Sequence, residues 1–320
     1  MVIKRLRILE VVLGLLVFFV FFFYLIQPGS VGNAQEYRKV TRNSDLSHQS
    51  GQVGKYTALV VGINEYRDKK IPRLTAAVPD AEAVAELLQK RYGFSDIKTL
   101  INEQATRSAI DGVVREMIET LGPDDSLLVY YAGHGELDKL TGDGWWVPAD
   151  ARWGDTTSYF ENTTLQKYLW AMKTRHVLVV SDSCFSGTLF GLMTRDLPKK
   201  IDNRYYLDLF NEKSRWGMTS GNKTPVEDKG VGGHSLFAYL FIKELEKNRK
   251  PYLTPLEIYT AIAPVVGNNS EQTPICLPIK NTEDRGGAFI FILYRSGNEA
   301  GWETGLQRAA GSPGHWQCIL

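Results

Sequence analysis

Two residues of this chain have types and settings suited to nucleophilic chemistry, Cys184 and His134. Cys184 follows Val177-Leu178-Val179-Val180, an apolar run of the kind buried on both faces in a parallel sheet. That run breaks into Ser181, Asp182 and Ser183 before the thiol, and Ser186 and Gly187 leave room beyond it. His134 closes a second such run, Ser126 to Gly135, reading S-L-L-V-Y-Y-A-G-H-G. Ligands of open α/β sheets bind at the carboxyl ends of strands. If the two strands are parallel neighbours, thiol and imidazole meet at one sheet edge, where a histidine can take a proton and return it near neutral pH. Alone, Cys184 reads equally well as a small buried residue. Two strand-to-loop signals of this kind are harder to explain as packing.

The elements that must position this pair alternate. Thr57 to Gly62 reads as a buried strand, with Ile63-Asn64-Glu65-Tyr66 leaving it as a loop. A helix follows Pro72, its apolar side formed by Ala77, Ala81, Val84, Ala85, Leu87 and Leu88, with Asp80 in the first turn and Gly93 at the stop. Next come a strand at 97–101, a helix at 106–121, the His134 strand, an extended piece at 145–148, a helix at 165–172 and the Cys184 strand. The pattern predicts an α/β fold with a mainly parallel central sheet and helices on both faces. Residues 188–213 read as a long surface excursion, and Trp216 to Ser220 as a short returning strand. The Gly-rich stretch 221–233 reads as an active-site loop. A helix capped by Ser235 runs to Lys247, with His234 as a cap-region residue, and Thr254-Pro255 opens another. Ala288 to Leu293 reads as the last strand, and residues 296–320 as a tail.

The net charge of +1 over 320 residues, with no basic stripe, argues against nucleic acid as a partner. The three cysteines, Cys184, Cys276 and Cys318, include no C-x-x-C pair, which argues against a structural zinc site. Lys4, Arg5 and Arg7 precede an apolar run from Val11 to Ile26. Residues 1–34 are therefore expected to be a signal peptide or signal anchor. The basic flank would place the rest of the chain outside the cytoplasm, as an exported protein that is periplasmic, extracellular or tethered to the outer side of the membrane. Residues 35–54 form a polar linker, and the folded domain is expected over 55–295, as 55–187, the intervening 188–213, and 214–295.

With Y-Y-A-G-H-G at 130–135 and D-S-C-F-S-G at 182–187, the chain resembles the caspase-like cysteine peptidases, most of all the metacaspase and paracaspase branch and its bacterial relatives. A-L-V-V-G-I-N-E-Y (58–66), V-P-D-A (78–81), W-V-P-A-D-A (146–151), M-T-S-G (218–221), G-G-H-S (232–235), Q-T-P (272–274) and G-G-A-F (286–289) extend the likeness. The resemblance implies Cys184 as nucleophile, His134 as its acid–base partner, and the backbone N–H groups of Gly135 and Cys184 as an oxyanion hole. Each such donor is worth about 3–4 kcal/mol in known cases. It also implies that Asp80 and Asp182 line the pocket for the residue before the cut, so that Arg or Lys is preferred. Glu227 or Asp228 would add a further acid. The bland alternatives are that Asp80 serves its helix N-terminus and Asp182 a turn.

The expected function is a cysteine endopeptidase acting on protein or peptide substrates with basic residues, through a thioester acyl-enzyme. Self-processing at Lys199, Lys200 or Arg204 is compatible with that pocket, and membrane contact would run through the N-terminal segment if it is retained. Phe185 stands where metacaspases often carry His, which leaves the subfamily open. Some metacaspases need calcium, but no calcium loop is recognisable here and no cofactor is implied. The alternatives are a non-proteolytic caspase-like scaffold and a legumain- or gingipain-like peptidase of other specificity. A disulfide-exchange protein would need a second cysteine near Cys184.

Overall fold

The computed structural model describes residues 53–138, 141–183, 189–190, 203–221 and 230–294. Cys184, Glu227, Asp228, Lys199, Lys200, Cys318 and residues 1–34 lie outside these ranges, as does the side chain of Arg204. Among the described residues, no helix is long and apolar enough to cross a membrane.

In chain order the first half comprises β1 (Tyr56–Gly62), α1 (Ala77–Tyr92), β2 (Asp96–Ile101), α2 (Arg107–Thr120), β3 (Ser126–Ala132), β4 (Gly135–Leu137), β5 (Gly144–Trp146), β6 (Phe160–Glu161), α3 (Asn162–Ala171) and β7 (His176–Asp182). There follow α4 (Asn203–Asn211), β8 (Ser214–Thr219), α5 (Leu236–Lys247), β9 (Tyr252–Leu253), α6 (Pro255–Asn269), β10 (Ile275–Pro278) and β11 (Phe291–Ile292).

One six-stranded sheet in the order β10-β8-β7-β3-β1-β2 organises the domain. All its neighbours pair in parallel except β10, which runs antiparallel to β8. Because side chains alternate across a pleated sheet, each central strand feeds two cores. Ala58, Val60, Leu128, Tyr130, Leu178 and Val180 pack with α1, α5 and α6. Leu59, Val61, Leu127, Val129, Val177 and Val179 pack with α2 and α3. The expected α/β architecture with helices on both faces is the observed one.

Two segments differ from their sequence reading, and a third, β10, has none. The stretch 188–213 carries α4, whose Tyr206 and Phe210, one helical turn apart, are buried. Its neighbouring charges drew the reading toward the surface. Of 288–293, only Phe291 and Ile292 pair, and they pair with β9 in a separate two-stranded sheet. The whole run is apolar because both sides are covered: Phe289 and Phe291 enter the α1/α5 core, whereas Ala288 and Ile290 pack with Tyr206, Phe210 and Tyr252. β10 has no clear pattern of its own, being a four-residue edge strand that ends in proline.

Candidate active site

β3 and β7 are adjacent and parallel, with Ala132 opposite Asp182, and the Gly133 N–H continues the pairing to the Asp182 carbonyl at 3.4 Å. Both strands therefore run out at the same carboxyl edge. His134 is the second residue beyond β3. Cys184 is the second beyond β7 in sequence and lies outside the described residues.

His134 is held from several sides. Its Nε2 lies 2.8 Å from the Pro72 carbonyl. A carbonyl only accepts, so Nε2 carries the hydrogen, and Nδ1 bears the lone pair in the neutral ring. The His134 backbone N–H donates to the Tyr66 hydroxyl at 2.8 Å, and the two rings lie 5.3 Å apart. The Tyr131 hydroxyl donates to the His134 carbonyl at 2.7 Å, while its ring stacks on Trp146 at 4.4 Å. Val147 N–H also donates to the His134 carbonyl. That bond makes Gly135 and Trp146 a non-hydrogen-bonded pair of the β4–β5 ladder, which turns the Gly135 N–H away from β5.

The Pro72 loop is braced by two asparagines. Asn102, at φ 48°, accepts on Oδ1 from the N–H groups of Asn64 (2.9 Å) and Glu65 (3.1 Å). Asn64 in turn donates to the Thr75 carbonyl and accepts from Val78 N–H in the first turn of α1. One loop thus places both the carbonyl that orients His134 and the helix that carries Asp80. In the sequence this stretch is a loop that closes the 58–66 likeness, and the roles of Asn64, Tyr66 and Pro72 are hidden because their partners are distant in the chain.

Asp80 and Asp182 are brought together. They are 1% and 3% exposed, and Ser235 touches both: its N–H donates to Asp80 Oδ2 at 3.2 Å and its hydroxyl donates to Asp182 Oδ2. His234 Nδ1 lies 2.6 Å from Asp80 Oδ1. The Asp80 carboxylate turns to His234 and Ser235 while Asn64 receives the α1 N–H, and His234, the residue before the cap of α5, is a hydrogen-bond partner of Asp80. The position of His234 in G-G-H-S was visible in the sequence; its partner 154 residues away was not. Burial pushes the Asp182 carboxyl above its usual range, opposed by the hydroxyls of Ser235 and Ser220. Asp182 Oδ1 has no hydrogen-bond partner among the described residues. The Tyr130 phenol, buried on the same sheet face, is held protonated by burial first and then by the charges of Asp80 and Asp182. Among the described residues, no group of three or more His, Cys, Asp or Glu is placed to hold a metal ion.

The family model for the caspase domain matches residues 55–306. The chain belongs to the caspase domain family. It is 31% identical to metacaspase-1 of Meyerozyma guilliermondii over 37% of this chain and 30% of that protein. To metacaspase-2 of Arabidopsis thaliana it is 27% identical over 53% of this chain and 44% of that protein. The chain thus spans less than half the length of these curated relatives. Two solved structures share the fold. Caspase-1 of Spodoptera frugiperda matches at a TM-score of 0.51 and 15% identity, over 72% of this chain and 89% of that one. A protein from Geobacter sulfurreducens matches at 0.51 and 20%, over 76% of this chain and all of that one.

Proposed function

We propose that this caspase-domain chain is a cysteine endopeptidase that cuts after Arg or Lys. The Cys184 thiolate attacks the scissile carbonyl, with the proton held on His134. The tetrahedral intermediate collapses to a thioester as His134 gives that proton to the leaving amine. Water, deprotonated by His134, then releases the acid and restores the thiol. The shared edge of β3 and β7 and the Nε2–H bond to Pro72 support this assignment, as does the orientation of the Gly135 N–H.

The observation that carries the specificity is the pair of buried acids, one with an oxygen that has no hydrogen-bond partner among the described residues. A carboxylate this deep is costly without a partner. An entering guanidinium or ammonium would supply charge-assisted hydrogen bonds. The basic flank and apolar run of residues 1–34 support export or membrane tethering, and Lys199, Lys200 and Arg204 are suitable self-cleavage points. Mass spectrometry showing an intact chain throughout activation would exclude self-cleavage.

The test is hydrolysis of fluorogenic peptides ending in Arg, Lys, Asp or Asn by the full chain and by Cys184→Ala. Cleavage after Arg and Lys, lost in the variant, is the expected result. Cleavage after Asp or Asn would discard the pocket, and an unaffected variant would discard the nucleophile.

A further inference from the structure

We propose that His234 is a specificity-determining positioning residue: through Asp80, it sets how strongly the acidic pocket holds a basic side chain. This rests on the reading of Asp80 and Asp182 as that pocket.

The geometry is built for such a role. Gly232 and Gly233, at φ 67° and 88°, take consecutive left-handed conformations that favour glycine, and they bring His234 to the start of α5. There its Nδ1 meets Asp80 Oδ1 at 2.6 Å. The His234 side chain is 25% exposed, whereas that of Asp80 is 1% exposed. The next residue, Ser235, bonds both acids, so a shift of His234 is felt by both.

The His234 Nδ1 fixes the direction of the Asp80 carboxylate, and the hydrogen bond that an entering guanidinium makes to that carboxylate depends on its direction. Loss of one such bond changes binding on the order of tenfold. Among the described residues, the other titratable groups buried around this corner are Asp182 at the end of β7 and the Tyr130 phenol on β3. On α5 itself, the first ionisable residues are Tyr239 and Lys243.

The probe is agmatine, a bare alkyl guanidinium, as a competitive inhibitor of the full chain at one fixed pH. His234→Asn keeps an N–H donor near the Nδ1 position. His234→Ala should raise the agmatine inhibition constant, and KM for an Arg peptide, on the order of tenfold with kcat unchanged, and Asn should rescue both. An unchanged inhibition constant in His234→Ala, or no rescue by Asn, would overturn the role of His234 and leave the pocket standing. No agmatine inhibition and no Arg or Lys cleavage by the wild type would overturn the pocket, and this inference with it.

Discussion

His176 makes the acid stability of this domain quantitatively testable. It sits at the start of β7, fully buried, with Nε2–H donating to the Phe210 carbonyl at 2.7 Å and Nδ1 facing the Ser126 hydroxyl at 3.3 Å. Burial is the main force that lowers its pKa from 6.5 to about 3. In the unfolded chain the imidazole takes up a proton below about pH 6.5, while the folded protein refuses it until about pH 3. Folding stability is therefore fully present above pH 6.5 and declines as pH falls. At 1.36 kcal/mol per unit, the two units between 6.5 and 4.5 are worth about 2–3 kcal/mol. The assay is urea denaturation of the whole chain at pH 7 and 4.5, beside His176→Gln, whose amide can still reach the Phe210 carbonyl. The variant should be less stable at pH 7, yet lose about 2–3 kcal/mol less than the wild type on acidification, because it has no proton to take up. Other titrating groups, such as Asp182, cancel in the comparison. Equal acid losses in the two proteins would refute the reasoning, as would a His176 resonance that titrates near pH 6 in the folded state.

Further outcomes follow from packing around the site. Arg215 is buried and donates to the carbonyls of Leu169, Met172, Thr174, Arg175 and Ser214. Arg215→Met should cost about 3–5 kcal/mol in urea denaturation, with Arg215→Lys recovering only part because it offers fewer donors. A Cβ on Gly62 would lie 2.6 Å from the Ala81 Cβ and 2.8 Å from the Ala77 carbonyl. Gly62→Ala should therefore push α1 off β1, costing about 1–3 kcal/mol and raising KM for Arg peptides through the displacement of Asp80. Tyr66→Phe removes the acceptor of the His134 N–H, and should lower kcat by about tenfold with little change in KM. An unchanged kcat would show that the hydrogen bond does not position the imidazole.

Much of the fold was legible because it rests on local patterns. The apolar runs ending at Gly62, Ala132 and Asp182 could only be buried strands, and the periodic faces of α1, α2 and α5 required helices between them. Segments of ambiguous pattern were read less well: α4 hid among charges, and the 288–293 run is apolar through packing on both sides and only briefly pairs. At the site, the residue types carried His134, Asp80 and Asp182, but not what holds them.

The sequence by itself determined which strands end in chemistry and which residues stand at those ends, since a strand's burial and its stop are local properties of composition. Only the tertiary structure decided the partnerships: Pro72 with His134, Ser235 with both acids, and His234 with Asp80. These join residues between 53 and 155 positions apart, and no local pattern encodes them. They arise because parallel strands β1, β3 and β7 bring their carboxyl ends to one edge, where α1 and the start of α5 meet them.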